Sequence, residues 1–377
     1  MFAAIRIRWG RIPSAALAAL AFVLAGCGEQ PGYPPDLEYP ARSDRLVLRV
    51  PTAQPAGPNE AGKLDAELAA LDSLGGLTRD PRALPQSTRD QVGGLLADLF
   101  GSPAAPEVKD APGFGRDTLA EGSRLYRRHC LQCHGLTGDG RGPTGQWIDP
   151  HPRDFRRGAF KFTTTGDGGK PRTADLARTL REGVKGTGMP AFGLLPEADR
   201  EKLVAYVKFL SLRGQTEFAA LRDAFEDEEF DRGRVARFIG EWAKAETTPT
   251  IAARPAPDDG TKQSPDHLAA VKRGYELFTA KGTTDCLTCH DDFGRRTTWR
   301  YDVWGTVVRP ADLTAGGFKG GDRPEQLFHR IKDGIQPSGM PAHPSLKDDQ
   351  VWDLVWFVRA APFPRELPDD VRMKVYP

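Results

Sequence analysis

A mainly helical chain in two repeated halves is what this sequence predicts, and three observations carry the prediction. The string Cys-x-x-Cys-His occurs twice, as Cys130-Leu131-Gln132-Cys133-His134 and Cys286-Leu287-Thr288-Cys289-His290. The same residue types recur in the same order around each copy. Apolar residues before and after each copy fall at helical spacing, so each motif sits between two helices.

Residues 1–26 have the build of an export signal: Arg6, Arg8 and Arg11, then an apolar stretch from about Ala15 to Ala25. That stretch is short for a membrane span. Leu24-Ala25-Gly26-Cys27 resembles the end of a bacterial lipoprotein signal, which implies that Cys27 is acylated and becomes the first residue. An ordinary cleaved signal or an uncleaved anchor is the competing reading. Removing these residues takes three arginines and no acid, so 52 basic residues become 49 against 51 acidic ones. With no basic excess, nucleic acid is not an expected partner.

Residues 27–115 form a Pro/Gly/Ala-rich segment, read as a tether plus packing elements. Its prolines argue against long regular structure before residue 59. Short helices are expected over 60–74 and 88–100, the second from Val92, Leu95, Leu96 and Leu99.

The first domain is placed at 116–213. Thr118 and Glu121 have capping-box spacing ahead of Leu119, Gly122, Leu125 and Tyr126. Leu203, Val204, Val207 and Leu210 form one stripe on a helix expected over 197–212. Residues 214–265 read as a charged helical bridge and linker. Within it, Glu226-Asp227-Glu228-Glu229 is either a solvated turn or an acidic patch for a basic partner. The second domain is placed at 266–361, with a tail over 362–377.

The second domain repeats the first. Gly122, Leu125 and Tyr126 correspond to Gly274, Leu277 and Phe278. Pro152, Asp154, Phe160 and Lys161 correspond to Pro310, Asp312, Phe318 and Lys319. Gly183, Met189 and Pro190 correspond to Gly334, Met340 and Pro341. Tyr206 corresponds to Phe357, 17 residues beyond its methionine in both halves.

Cys-x-x-Cys-His reads as covalent attachment of haem c. Thiols three apart on a helical turn share a face and can bond both vinyl groups of one porphyrin. The next residue, His134 or His290, is then placed to ligate the iron. Four of the five cysteines are used this way and the fifth is Cys27, so no thiol remains for a disulfide or a nucleophile. Zinc is the lesser alternative, because each motif offers three of the four ligands of a structural site. Two covalently bound haems are expected, each lending apolar surface to a core that would be marginal without it.

The sixth ligand decides between an open iron and a closed one. Met189 and Met340 each lie in a Gly-Met-Pro string, 55 and 50 residues after their histidines. A thioether ligand raises the potential, and the proline stiffens the loop. His343 is a rival for the second iron. His129, His151 and His329 read as surface or propionate contacts, and Arg153, Arg156, Arg157, Lys161, Arg309 and Lys319 as propionate partners or solvated charge.

Each half thus resembles a class I cytochrome c domain. The shared features are a first helix with Gly and an aromatic four apart, Cys-x-x-Cys-His, a Gly-Met-Pro loop, and a last helix carrying an aromatic. The resemblance implies an all-α fold of two tandem cytochrome c-like haem domains, with first and last helices crossing at Gly122 and Gly274. It puts the haem-binding cysteines at Cys130, Cys133, Cys286 and Cys289, the proximal ligands at His134 and His290, and the distal ligands at Met189 and Met340. It also implies that a proline carbonyl orients the proximal histidine. Pro143 fits that role in the first half, while the second half has no Gly-Pro equivalent.

The expected function is electron transfer between redox donor and acceptor proteins. The expected location is the periplasmic face of a bacterial membrane, with a lipid anchor as membrane contact and no small-molecule substrate. A fixed haem subunit of a larger membrane oxidoreductase is the second reading. A di-haem peroxidase is the third, and the paired Gly-Met-Pro loops speak against it.

Overall fold

A computed structural model of the protein describes residues 33–52, 70–109, 113–166, 168–249, 262–296 and 298–377, together with Pro55, Leu68, Ala111, Ile251 and Arg254. The export signal, Cys27, most of the helix expected over 60–74 and much of the linker before residue 265 lie outside the described residues. The described end of that helix is a 3-10 turn at Asp72–Leu74.

An N-terminal arm opens the described chain. Strand β1 (Leu46–Arg49) pairs antiparallel with β2 (Leu77–Arg79), with Val47 opposite Thr78. Helix α1 (Gln86–Phe100) follows and buries Leu96, Leu99 and Phe100. Its apolar stripe is the one the sequence predicts over 88–100.

The first domain begins with α2 (Arg116–His129), which buries Leu119, Gly122, Leu125 and Tyr126. The expected capping box does not form. The N-cap is Gly115, and the Glu121 carboxylate instead accepts from Arg124 at 3.0 and 2.6 Å. Short α3 (Leu131–His134) carries the first motif, and α4 (Thr173–Glu182) buries Leu176 and Leu180. Helix α5 (Glu197–Phe225) then crosses α2.

Helix α5 does not stop at Leu212 as expected; it runs 29 residues through Gly214 to Phe225. Gly214 is needed for contact rather than as a stop: a Cβ there would lie 2.3 Å from Arg156 Cα. Phe218, Leu221 and Phe225 therefore belong to this helix and pack with Leu46 and Leu84 of the arm. Helix α6 (Gly233–Glu246) returns over the domain and buries Val235 and Trp242.

The second domain repeats the pattern. Helix α7 (Pro265–Thr279) crosses α9 (Asp348–Ala360), with α8 (Pro324–Lys332) alongside. Between its motif and α8, a small hairpin pairs β3 (Arg300–Tyr301) with β4 (Val307–Val308). The tail is not loose: α10 (Asp369–Val375) buries Val371 and Val375 in the second core.

Each domain has its own apolar core, centred on Tyr126, Tyr206 and Phe209 in the first and on Phe278, Phe357 and Trp352 in the second. The arm is fastened to the first domain. Tyr39 and Tyr206 share a hydroxyl–hydroxyl hydrogen bond of 2.9 Å. Arg156, fully buried, is held between Asp44 at 2.7 Å and Asp154 at 2.8 Å. The domains meet through Lys185–Asp322 and Glu182–Arg323, both at 3.1 Å, and through the Arg330 guanidinium over the Phe162 ring.

Candidate metal centres

The first motif is built where α2 gives way to α3. Cys130 caps α2, and its carbonyl accepts from Cys133 N at 3.1 Å and His134 N at 2.9 Å. That turn places both thiols and the imidazole at one end of the first core. Cys130 is buried and Cys133 half-buried. In the second motif, Cys289 N and His290 N reach the Cys286 carbonyl at 3.2 and 2.9 Å.

Both histidines are oriented in the same way. His134 Nδ1 lies 3.1 Å from the carbonyl oxygen of Arg153, and His290 Nδ1 lies 3.1 Å from that of Ala311. A carbonyl only accepts, so Nδ1 carries the proton and Nε2 is left to bind a metal. Pro143 does not take this role; Arg153 does. The second half, which lacks the Gly-Pro pair, is no different, because Ala311 occupies the repeat position of Arg153. The sequence signal was the matched Pro152-x-Asp154 and Pro310-x-Asp312, whose middle residue was passed over.

Burial pushes His134 down to about 4, a shift that the Arg153 carbonyl partly offsets, and burial also lowers His290. Both imidazoles are therefore neutral at pH 7, the form that ligates metal. Phe155 stacks on His134 with centroids 4.6 Å apart.

The methionine loops are equally matched. Helices α4 and α8 are followed by Gly183 (φ +67°) and Gly334 (φ +74°), in the left-handed region that glycine adopts without strain. The next amides, Val184 N and Ile335 N, donate to the carbonyls of Met189 and Met340 at 3.1 and 3.0 Å. Thr187 and Ser338, at the same loop position, donate to the Val184 and Ile335 carbonyls at 2.7 and 3.2 Å. Met189 lies half-buried against the first core and Met340 is half-buried in its own loop.

Two of the other histidines are engaged through their rings. His329 Nδ1 is 2.7 Å from Asp333 Oδ2, and His129 packs edge-on to Phe192. His343 is half-buried, with its amide on the Lys332 carbonyl. Of the expected propionate partners, Arg156 is committed to Asp44 and Asp154, and Arg157 to the Val47 carbonyl. Arg153 and Lys161 face Asp302, and Arg309 lies over Trp299.

The donor set suits a thioether-linked haem better than zinc. A structural zinc site needs four donors gathered around one ion, and each motif offers three. Among the described residues, the side chains gathered like a metal cluster are Asp223, Glu226 and Glu228, within 4.8 Å of one another. Neither Cys-x-x-Cys-His closes on itself that way. Asp223 in that acidic turn is already paired with Arg222 and Arg234.

A crossed pair of helices, a Cys-x-x-Cys-His turn and a Gly-Met-Pro loop, all present twice, define the class: an all-α protein with two tandem cytochrome c domains. The family comparison agrees, since residues 117–207 and 269–358 each match the model described as cytochrome c oxidase, cbb3-type, subunit III. Such domains bind haem c covalently and transfer electrons. Among solved structures, a chain of the Kuenenia stuttgartiensis reducing HAO-like protein complex is 27% identical over 64% of this chain and 95% of its own, with a TM-score of 0.47. No curated protein matches the chain.

Proposed function

We propose that this protein is a di-haem electron carrier working outside the cytoplasm between membrane-associated respiratory partners. One haem c would be held by Cys130 and Cys133 and the other by Cys286 and Cys289. His134 with Met189, and His290 with Met340, would be the axial ligands. When bound, each haem supplies a one-electron iron couple. The chain's part is to fix the axial donors, keep the imidazoles neutral, and surround each site with an apolar core. An acyl chain on Cys27 would tether the carrier to the membrane.

The observation that carries this reading is the identity of the two ligand scaffolds. Both histidines are tied through Nδ1 to the same repeat position, and both methionine loops share one hydrogen-bond pattern. Two closed irons suit a carrier, whereas a peroxidase needs one that opens.

Visible spectroscopy with a pyridine haemochrome count tests it. Two haems per chain, with the weak far-red band of methionine-ligated ferric iron, are expected. One haem, or a high-spin signal at either site, overturns the carrier reading. Replacing both Cys286 and Cys289 by serine should leave one haem, and mass spectrometry of the intact chain reads that loss directly.

A further inference from the structure

The β3–β4 hairpin belongs to the second domain, yet its turn lies against the segment that orients the first domain's histidine. Trp304 is buried there, 7% exposed. Its indole N–H donates to the Asp154 carbonyl at 3.0 Å, and the Arg153 guanidinium sits over its ring, 3.6 Å from the centroid. Trp304 thus holds both the side chain of Arg153 and the carbonyl of the next residue, Asp154. The carbonyl of Arg153 is the one that accepts from His134 Nδ1.

The turn carrying Trp304 is itself rigid. Asp302, 1% exposed, accepts from the amides of Trp304 and Thr306, both at 3.0 Å, and its other oxygen meets Lys161 at 3.2 Å. The same turn is fixed to the second site, where Val303 N donates to the Pro337 carbonyl at 2.9 Å, three residues before Met340. From β4 the chain runs straight to Ala311. One hairpin is therefore attached to the ligand-bearing segments of both domains. The arrangement is one-sided: where the first domain offers Arg153 to the indole, the second offers only the methyl of Ala311.

We infer that Trp304 is a positioning residue for the first haem centre: by holding the Arg153 side chain and the Asp154 carbonyl from the other domain, it keeps the intervening Arg153 carbonyl on His134, sets the basicity of that imidazole and so makes the two centres unequal. The inference rests on the haem reading above. A carbonyl held firmly on Nδ1–H increases electron donation from Nε2 and favours the ferric state. Loosening it should raise the midpoint potential of the first centre and leave the second alone.

Two uncharged replacements separate the contributions without altering local charge. Trp304→Phe keeps a ring beneath Arg153 and loses the bond to Asp154, and Trp304→Leu loses both. Spectroelectrochemistry would follow the full haem-loaded chain, with a Met340→His background used to assign the second centre. The expected result is a stepwise rise in the first midpoint from wild type to Phe to Leu, with the second unmoved. Should Trp304→Leu fail to fold, the Phe variant carries the test alone. Unmoved midpoints with both haems bound, or equal shifts at both centres, overturn the inference and leave Trp304 as a docking contact. Fewer than two haems in the wild-type protein overturns the haem reading, and this inference with it.

Discussion

Gly122 and Tyr206 meet where α2 crosses α5: a Cβ on Gly122 would stand 3.0 Å from the Tyr206 Cβ and 2.5 Å from the Lys202 carbonyl oxygen. In the second domain, Gly274 faces Phe357 and Asp353 in the same way, at 2.8 and 2.1 Å. The nearest obstacle in each case is main chain, which no rotamer change can clear. Gly122→Ala should cost about 1–3 kcal/mol, and Gly274→Ala more, because its contacts are shorter. Denaturant midpoints of the haem-loaded variants measure both.

The methionine loops can be tested singly. Met189→His or Met340→His keeps a sixth ligand but exchanges a thioether for an imidazole. Each should lower the midpoint of its own centre by a sizeable part of the ~0.8 V over which axial ligands tune haem, and remove half of the far-red band. If Met340→His left the band whole, His343 would become the ligand to examine.

Arg156 joins Asp44, 112 residues earlier in the chain, to Asp154. Burial alone would push the Asp44 carboxyl up, but Arg42 and Arg156 together hold it well below the usual range. Arg156→Met leaves Asp154 without its guanidinium and Asp44 with Arg42 alone, and should cost ~3 kcal/mol. Adding Asp44→Asn should return part of that loss, as a double-mutant cycle would show.

Lys161 gives the structure a pH signature. Burial pushes its ammonium down from 10.5 to about 8; Arg153 adds to the shift, and Asp302 offsets it in part. Between those values the unfolded chain binds the proton and the folded chain does not. Stability should therefore rise as pH climbs from about 8 to 10.5, with a slope of at most ~1.4 kcal/mol per unit. The slope should be smaller in Lys161→Met by the share that Lys161 supplies, measured by urea denaturation at pH 7.5 and 9.5.

Much of this was legible in the residues. Cysteine and histidine spacing marks the attachment turns because that chemistry tolerates few side chains. Gly122 and Gly274 are visible because only glycine fits a crossing so close. The carbonyls that orient His134 and His290 are hidden, since every residue type presents the same oxygen; the resemblance points to Pro143, and the structure supplies Arg153 and Ala311 instead. The length of α5 exceeds the stripe of Leu203, Val204, Val207 and Leu210 that marks it, because its second half packs on the arm, a partner distant in sequence. Strand β1 and the β3–β4 hairpin escaped notice because two- to four-residue strands leave too little alternation to register. Trp304 could not be placed beside Arg153 from sequence at all, since nothing local records a contact between residues about 150 positions apart.

The hydroxyl bond between Tyr39 and Tyr206 spans 167 residues, and it bears on the order in which the molecule assembles. A chain synthesised from its N-terminus delivers Tyr39 early, but its partner does not exist as a surface until α5 has closed on α2. The arm must wait, with Tyr39 short of Tyr206 and Asp44 short of Arg156, until the first domain has closed. Closing so long a loop is slow compared with the local turns around the motif. Docking of the arm is thus a late event, one that seals a domain whose local turns have already formed.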